Sequence, residues 1–190
     1  MQKLSIPYEV KPWRVTQPWG VHRPDIYEQF GFTDHNGTDV AHGNGSEIRA
    51  PFDFEVQQVL WQPNGGGHVI GIISREEYEH PDGKPANVQV DYMHNAQNLL
   101  QPGDTGTTGD LVAIAGNTGF STGPHTHIRY KWQRRKGSRW VDVDKNSAQN
   151  SFDPTNYYNG DYAEDIWRMK QQIGLLTKVL GLLKKLRGVK

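Results

Sequence analysis

The 190-residue sequence predicts a mainly β domain closed by a C-terminal amphipathic α-helix. Three observations lead there. Turn formers and aromatics are abundant, with 21 Gly, 11 Pro, 6 Trp and 8 Tyr, a composition that suits short strands and loops. Apolar and β-branched residues come in short segments punctuated by Gly, Pro and Asn rather than at helical spacing. Only residues 161–190 carry a helical period.

Taken in order, residues 1–34 hold Pro12, Pro18 and Pro24 among scattered aromatics, which predicts a strand or two and a loop wrapping the core. Strands are expected at 38–41, 47–50 and 54–61, the last with Phe54, Val56 and Val59 among polar residues. Pro63-Asn64-Gly65-Gly66-Gly67 reads as punctuation. Residues 68–73 are apolar enough for an interior strand, and 88–94 returns beside it as a long hairpin. The connection 75–86 is longer than that hairpin needs and reads as a surface loop or one wall of a groove. Strands follow at 111–115 and 125–132, then a basic loop at 133–138 and a strand at 140–143. No internal repeat is present.

In the tail, Ile166, Met169, Ile173, Leu176, Leu180 and Leu183 step by threes and fours, the period of a helix with an apolar seam. Leu175, Val179, Leu182 and Leu186 widen the stripe. The chain therefore divides into a body, residues 1–160, and a helical appendage, residues 161–190. Formal net charge is zero, but the body carries 14 cations against 18 acids and the appendage 7 against 3. That segregation leaves three roles open for residues 166–190: packing on the body, self-association, or contact with an anionic envelope surface. No nucleic-acid partner is expected. The segment Met1 to Val10 lacks the apolar core of a secretory signal, and no stretch approaches a membrane span.

The absence of cysteine excludes disulfides and thiolate metal sites, so any metal must be held by nitrogen and oxygen. His125-Thr126-His127 sets two imidazoles on the same face of a strand. His35 and Asp39, four apart around Asn36-Gly37-Thr38, do the same for an imidazole and a carboxylate. Together they offer zinc ligands in two pairs. His22, His42, His68 and His80 stand in surroundings that specify nothing and read as structural. His35, His94, His125 and His127 each stand in a pattern that also shapes the backbone: Gly37 after His35, Tyr92-Met93 before His94, and Gly123-Pro124 before His125.

The His35-x-x-x-Asp39 segment, the stretch 46–59 with Ala50-Pro51, the strand end Tyr92-Met93-His94 and the run Gly116-Asn117-Thr118-Gly119-x-Ser121-Thr122-Gly123-Pro124-His125-x-His127 appear in this order. From about residue 15 to 158 the chain resembles the lysostaphin-like zinc metallopeptidases of the M23 type, which cut peptide cross-links in bacterial cell walls. The resemblance implies an antiparallel β-sheet or sandwich in which His35, Asp39 and His127 hold Zn²⁺, while His94 and His125 act on water and substrate. Three protein ligands leave a fourth position open, as a catalytic rather than a structural zinc requires. Histidines titrating near neutrality suit the acid and base roles, and which takes which stays open. The implied substrate is the peptide part of peptidoglycan and the implied place of action the cell wall, whether periplasmic, extracellular or on a phage particle. A phage lysin or virion-associated wall hydrolase would account for the missing signal peptide and the basic amphipathic end. The alternative is a catalytically silent relative that binds cell-wall or assembly partners. Such relatives lose ligands, whereas all five residues are present here.

One position departs from the family pattern. The acid usually found two residues after the second histidine is here Arg129, and a cation there would weaken metal binding if it pointed inward. Asp34 and Asn36 flank His35 and are candidates either to orient it or to form a turn. Of Trp19, Tyr27, Phe30, Phe32 and Phe120, all available to a groove, most are expected in the core.

Overall fold

A computed structural model describes residues 14–41, 43, 45–144, 151–157, 175, 179 and 183. Its strands, in chain order, are β1 (Arg14–Gln17), β2 (Thr38–Ala41), β3 (Glu47–Arg49), β4 (Phe54–Gln62), β5 (Gly67–Ser74) and β6 (Tyr78–Glu79), followed by β7 (Pro85–Asn95), β8 (Gln97–Asn98), β9 (Thr105–Gly106), β10 (Leu111–Ile114), β11 (His125–Lys136) and β12 (Arg139–Asp142). A single helical turn, α1 (Pro24–Tyr27), with Pro24 at its start, runs into a 3-10 turn at Glu28–Phe30. The large sheet has the order β1-β2-β11-β7-β5-β4-β9, with β12 beside β11 and β6 beside β7. A small sheet, β3-β10-β8, lies apart from it. Every pairing is antiparallel.

Side-chain alternation decides what each face of the large sheet does. On β7, Val88, Val90 and Tyr92 enter the core, and on β11 Ile128, Tyr130 and Trp132 join them. Ile70 and Ile72 of β5 complete that layer, and Ile48, Val112 and Ala113 of the small sheet close over it, so the core is a sandwich between the two sheets. The other parity, Met93 on β7 and His125, His127, Arg129 and Lys131 on β11, faces a cleft. On β4 the register shifts between Val56 and Gln58, so that Gln58, Leu60 and Gln62 turn to the cleft. Such a bulge re-aims every side chain beyond it, which is why Phe54, Val56 and Val59 do not keep an even spacing.

The central hairpin forms as expected, but both partners are longer than the apolar runs that predict them. Residues 133–138 are not a loop: β11 continues to Lys136 and turns at Gly137, where φ is 63°, directly into β12. Cross-strand contacts support this charged hairpin end, with Arg135 over the Trp140 ring at 5.3 Å and Arg134 hydrogen-bonded to Asp82 at 2.7 and 3.0 Å. The connection 75–86 is also partly strand, because β6 pairs with the start of β7.

Of the C-terminal helix, Leu175, Val179 and Leu183 are described; all three are helical and exposed. The rest of the expected stripe, and the division of the chain at residue 160, lie outside the described residues. Among those described, no helix is long and apolar enough to cross a membrane.

Candidate metal centre

Antiparallel pairing brings the two distant motifs together. β2 and β11 align with Asp39 opposite His127, and β7 aligns on the other side with Met93 opposite His127. The backbone before β2 carries His35 into the same place, fully buried. Three atoms form a triangle: His35 Nε2 to His127 Nδ1 at 2.9 Å, His127 Nδ1 to Asp39 Oδ1 at 2.9 Å, and His35 Nε2 to Asp39 Oδ1 at 3.1 Å.

The donor atoms of this triangle suit a cation. His35 Nδ1 donates to the Pro18 carbonyl at 3.0 Å, so in the neutral ring Nε2 presents a lone pair. Burial opposes an ionised Asp39, but the adjoining imidazoles of His35 and His127 outweigh it and hold the carboxyl well below the usual carboxylate range. Burial pushes the His127 imidazole down to about 4, against the pull of its hydrogen bond to Asp39. A neutral His127 has one proton for its two nitrogens, and its Nε2 is buried without a hydrogen-bond partner among the described residues. With its proton on Nε2, His127 turns the Nδ1 lone pair into the triangle, where it meets the Nε2 lone pair of His35 and a carboxylate oxygen, three donor atoms placed for one cation. Tetrahedral zinc with nitrogen and oxygen ligands sets ligand atoms roughly 3.4 Å apart, so the triangle needs to open by only a few tenths of an ångström. The residues fit a divalent metal.

Gly37 leaves the space for this arrangement. A Cβ there would lie 2.4 Å from His127 Nε2 and 2.7 Å from the Ile128 carbonyl oxygen. Gly37→Ala is expected to displace the His127 ring and lower zinc affinity about 10- to 100-fold, the range for losing a group that supports a ligand. Competitive zinc titration checks this, and unchanged affinity would contradict it.

His94 and His125 stand beside the triangle with ring centroids 4.7 Å apart, and His125 Nε2 is 3.7 Å from Asp39 Oδ1. Each anchors Nδ1 on a backbone carbonyl at 2.8 Å, His94 on Thr118 and His125 on Gly123. In both neutral rings Nε2 is therefore the available base. Burial, and then the neighbouring His125, lower the His94 pKa. His94 is also the one described non-glycine residue with positive φ, 65°, a backbone state that the surroundings must impose. They do so from both sides: its N–H donates to Gly66 O at 2.7 Å and its carbonyl accepts from Thr118 N at 3.3 Å. Thr118 is pinned in turn, its Oγ1 donating to Asn95 O at 2.8 Å and accepting from His68 N at 3.0 Å. Glycine is required on both sides of this contact: a Cβ on Gly67 would meet Thr118 Oγ1 at 2.3 Å, and one on Gly119 would meet Gly67 N at the same distance.

Three sequence readings meet the structure here. Asp34, a candidate either to orient His35 or to form a turn, binds His22 Nδ1 at 2.6 Å, while His35 Nδ1 donates to the Pro18 carbonyl, a contact with no side-chain signature. Arg129 does not oppose the metal. It shares the parity of His127, but its guanidinium is drawn to Asp91, the residue opposite it on β7, at 2.7 Å. Nor are the aromatics mostly core: Tyr27, Phe30, Phe32 and Phe120 line the cleft, while Trp19 hydrogen-bonds Ser151. Phe30 and Phe120 meet edge to face across it at 5.2 Å, and Tyr27 stacks on His35 at 5.4 Å. The cleft encloses about 390 Å³.

A buried triangle of two imidazoles and a carboxylate, with two further imidazoles on its open side, is the kind of site that metal-dependent hydrolases use. Residues 33–142 match Peptidase family M23, and the chain belongs to that family. An uncharacterized metalloprotease of Haemophilus influenzae is 34% identical over 96 residues, which is 50% of this chain and 18% of that protein. The peptidoglycan DD-endopeptidase ShyA of Vibrio cholerae is 29% identical over 93 residues, 49% of this chain and 19% of that one. The catalytic domain of the antimicrobial peptidase lysostaphin from Staphylococcus simulans superposes with a TM-score of 0.58 at 23% identity, covering 76% of this chain and 91% of that domain. That likeness shows the antiparallel fold. The chain spans about a fifth of the length of the two curated relatives.

Proposed function

We propose that the chain is a zinc-dependent endopeptidase that hydrolyses peptide cross-links of bacterial peptidoglycan at the cell wall. The observation that carries this reading is the triangle of His35, Asp39 and His127, with edges of 2.9–3.1 Å, beside two histidines each anchored through Nδ1 on a backbone carbonyl. His35, Asp39 and His127 hold the metal, which when bound polarises the scissile carbonyl and lowers the pKa of water.

The remaining work falls to the chain's own side chains. His94 and His125, both basic at Nε2, take the proton from attacking water and return one to the leaving amine. An imidazolium formed at either also stabilises the oxyanion of the tetrahedral intermediate. Tyr27, Phe30 and Phe120 hold the peptide and thin the water around it. Residues 1–160 form the peptidase body and 161–190 a basic amphipathic appendage for self-association or envelope contact. A phage lysin or virion-borne hydrolase is consistent with that arrangement.

The test is release of peptide fragments from purified cell wall. Release stops with a strong chelator and returns on adding Zn²⁺; release that persists in chelator refutes the metal mechanism. Wall binding without hydrolysis by the zinc-loaded protein would mark a catalytically silent relative instead.

A further inference from the structure

The floor of the cleft carries more positive charge than the architecture uses. His127, Arg129 and Lys131 alternate onto one face of β11, which places the two cations about 7 and about 13 Å along the strand from His127. Both line the cleft, with side chains 19% and 12% exposed. Beneath them lies Asp91 of β7, with none of its surface exposed. Gly71, its opposite number on β5, leaves the room its carboxylate fills: a Cβ there would be 2.5 Å from Asp91 Oδ1.

Asp91 is saturated by its neighbours. Oδ1 accepts from Gln89 Nε2 at 2.6 Å and Gln58 Nε2 at 3.0 Å. Oδ2 accepts from Arg129 Nε at 3.1 Å and Nη2 at 2.7 Å, and faces Lys131 Nζ at 3.3 Å. One negative charge therefore meets two positive ones. A buried carboxylate needs one cation to neutralise it, and the forked contact with Arg129 already supplies that. Lys131 is surplus. Among the described residues that line the cleft, Asp39 is the one acid, and it belongs to the metal triangle.

We infer that this surplus charge binds a carboxylate of the substrate. The chain selects peptides that carry a free carboxylate near the scissile amide over uncharged ones. The inference rests on the wall-peptidase reading and names the substrate class at that same site. Water is partly excluded from the cleft floor, so a charge there is screened less than on an open surface. A charge-assisted contact of this kind corresponds to a preference of about tenfold.

The test uses two synthetic cross-linked peptides that are identical except that a residue beside the scissile bond carries a carboxylate or a carboxamide. Binding to the zinc-loaded full chain carrying His125→Ala is measured by calorimetry, with Lys131 intact, as Lys131→Gln and as Lys131→Arg. Lys131→Gln leaves Asp91 its Arg129 fork and both glutamine amides, so the sheet keeps its support. The carboxylate peptide is expected to bind about tenfold tighter, the preference to collapse in Lys131→Gln and to return in Lys131→Arg. Equal binding of the twins, or a preference that survives Lys131→Gln, overturns the inference. Cleavage by the unmutated protein is read separately. Equal kcat/KM for both twins leaves the peptidase reading standing and overturns this one, whereas charge-selective binding without cleavage of either does the reverse.

Discussion

His125→Ala is expected to keep the metal and lose turnover by about 10²- to 10⁴-fold, the contribution of a positioned acid or base. The ring lies beside the triangle rather than in it, and its Nδ1 is committed to the Gly123 carbonyl, so its loss exposes a cavity without removing a ligand atom. His94 requires a different substitution because of its left-handed backbone. Asn tolerates that conformation better than most residues, so His94→Asn separates loss of the ring from backbone strain. Wall hydrolysis and metal content are measured on the same preparations. Loss of zinc together with activity in either variant would reassign that histidine as a ligand, and retained hydrolysis would remove it from the mechanism.

Asp39→Ala and His127→Ala are expected to abolish both zinc binding and turnover. Each removes one corner of a triangle whose atoms lie 2.9–3.1 Å apart, leaving two ligands where a catalytic zinc needs three. A ligand that binds only the folded state stabilises it by about 4 kcal/mol at a thousand times its dissociation constant. Thermal unfolding with and without Zn²⁺ therefore provides a readout independent of substrate. The unmutated protein gains several degrees and the variants gain none. A full zinc-induced shift in Asp39→Ala would mean that the metal sits elsewhere.

The strands and the two motifs were readable because they depend on local order. Thr38–Ala41 alternates cleanly and folds as β2 over those same residues. His125 and His127 sit two apart on a strand and therefore share a face. What escaped depends on the partner across the sheet. Residues 133–136 look like a loop by charge, and they are strand because Gln133 to Lys136 pair with Arg139 to Asp142. The contribution of Pro18 is a backbone carbonyl, invisible to any residue-type reading. Arg129 breaks the family pattern in sequence, but its fate is decided by Asp91 on the neighbouring strand. The left-handed backbone at His94 has no signature in Tyr92-Met93-His94 and follows from its hydrogen bonds to Gly66 and Thr118.

The clasp between Gly65–Gly67 and Thr118–Gly119 bears on how this scaffold could be retargeted. Glycine-rich turns are ordinarily the places where insertions and grafts are tolerated. Here the turn holds the backbone of His94 through Gly66 and packs against Gly119 with no room for even a methyl group. Redesign of substrate choice therefore belongs in the segment 24–32, which lines the cleft through Ile26, Tyr27, Phe30 and Phe32 without carrying the catalytic groups. Lengthening the 63–67 turn would dismantle the machinery from a distance.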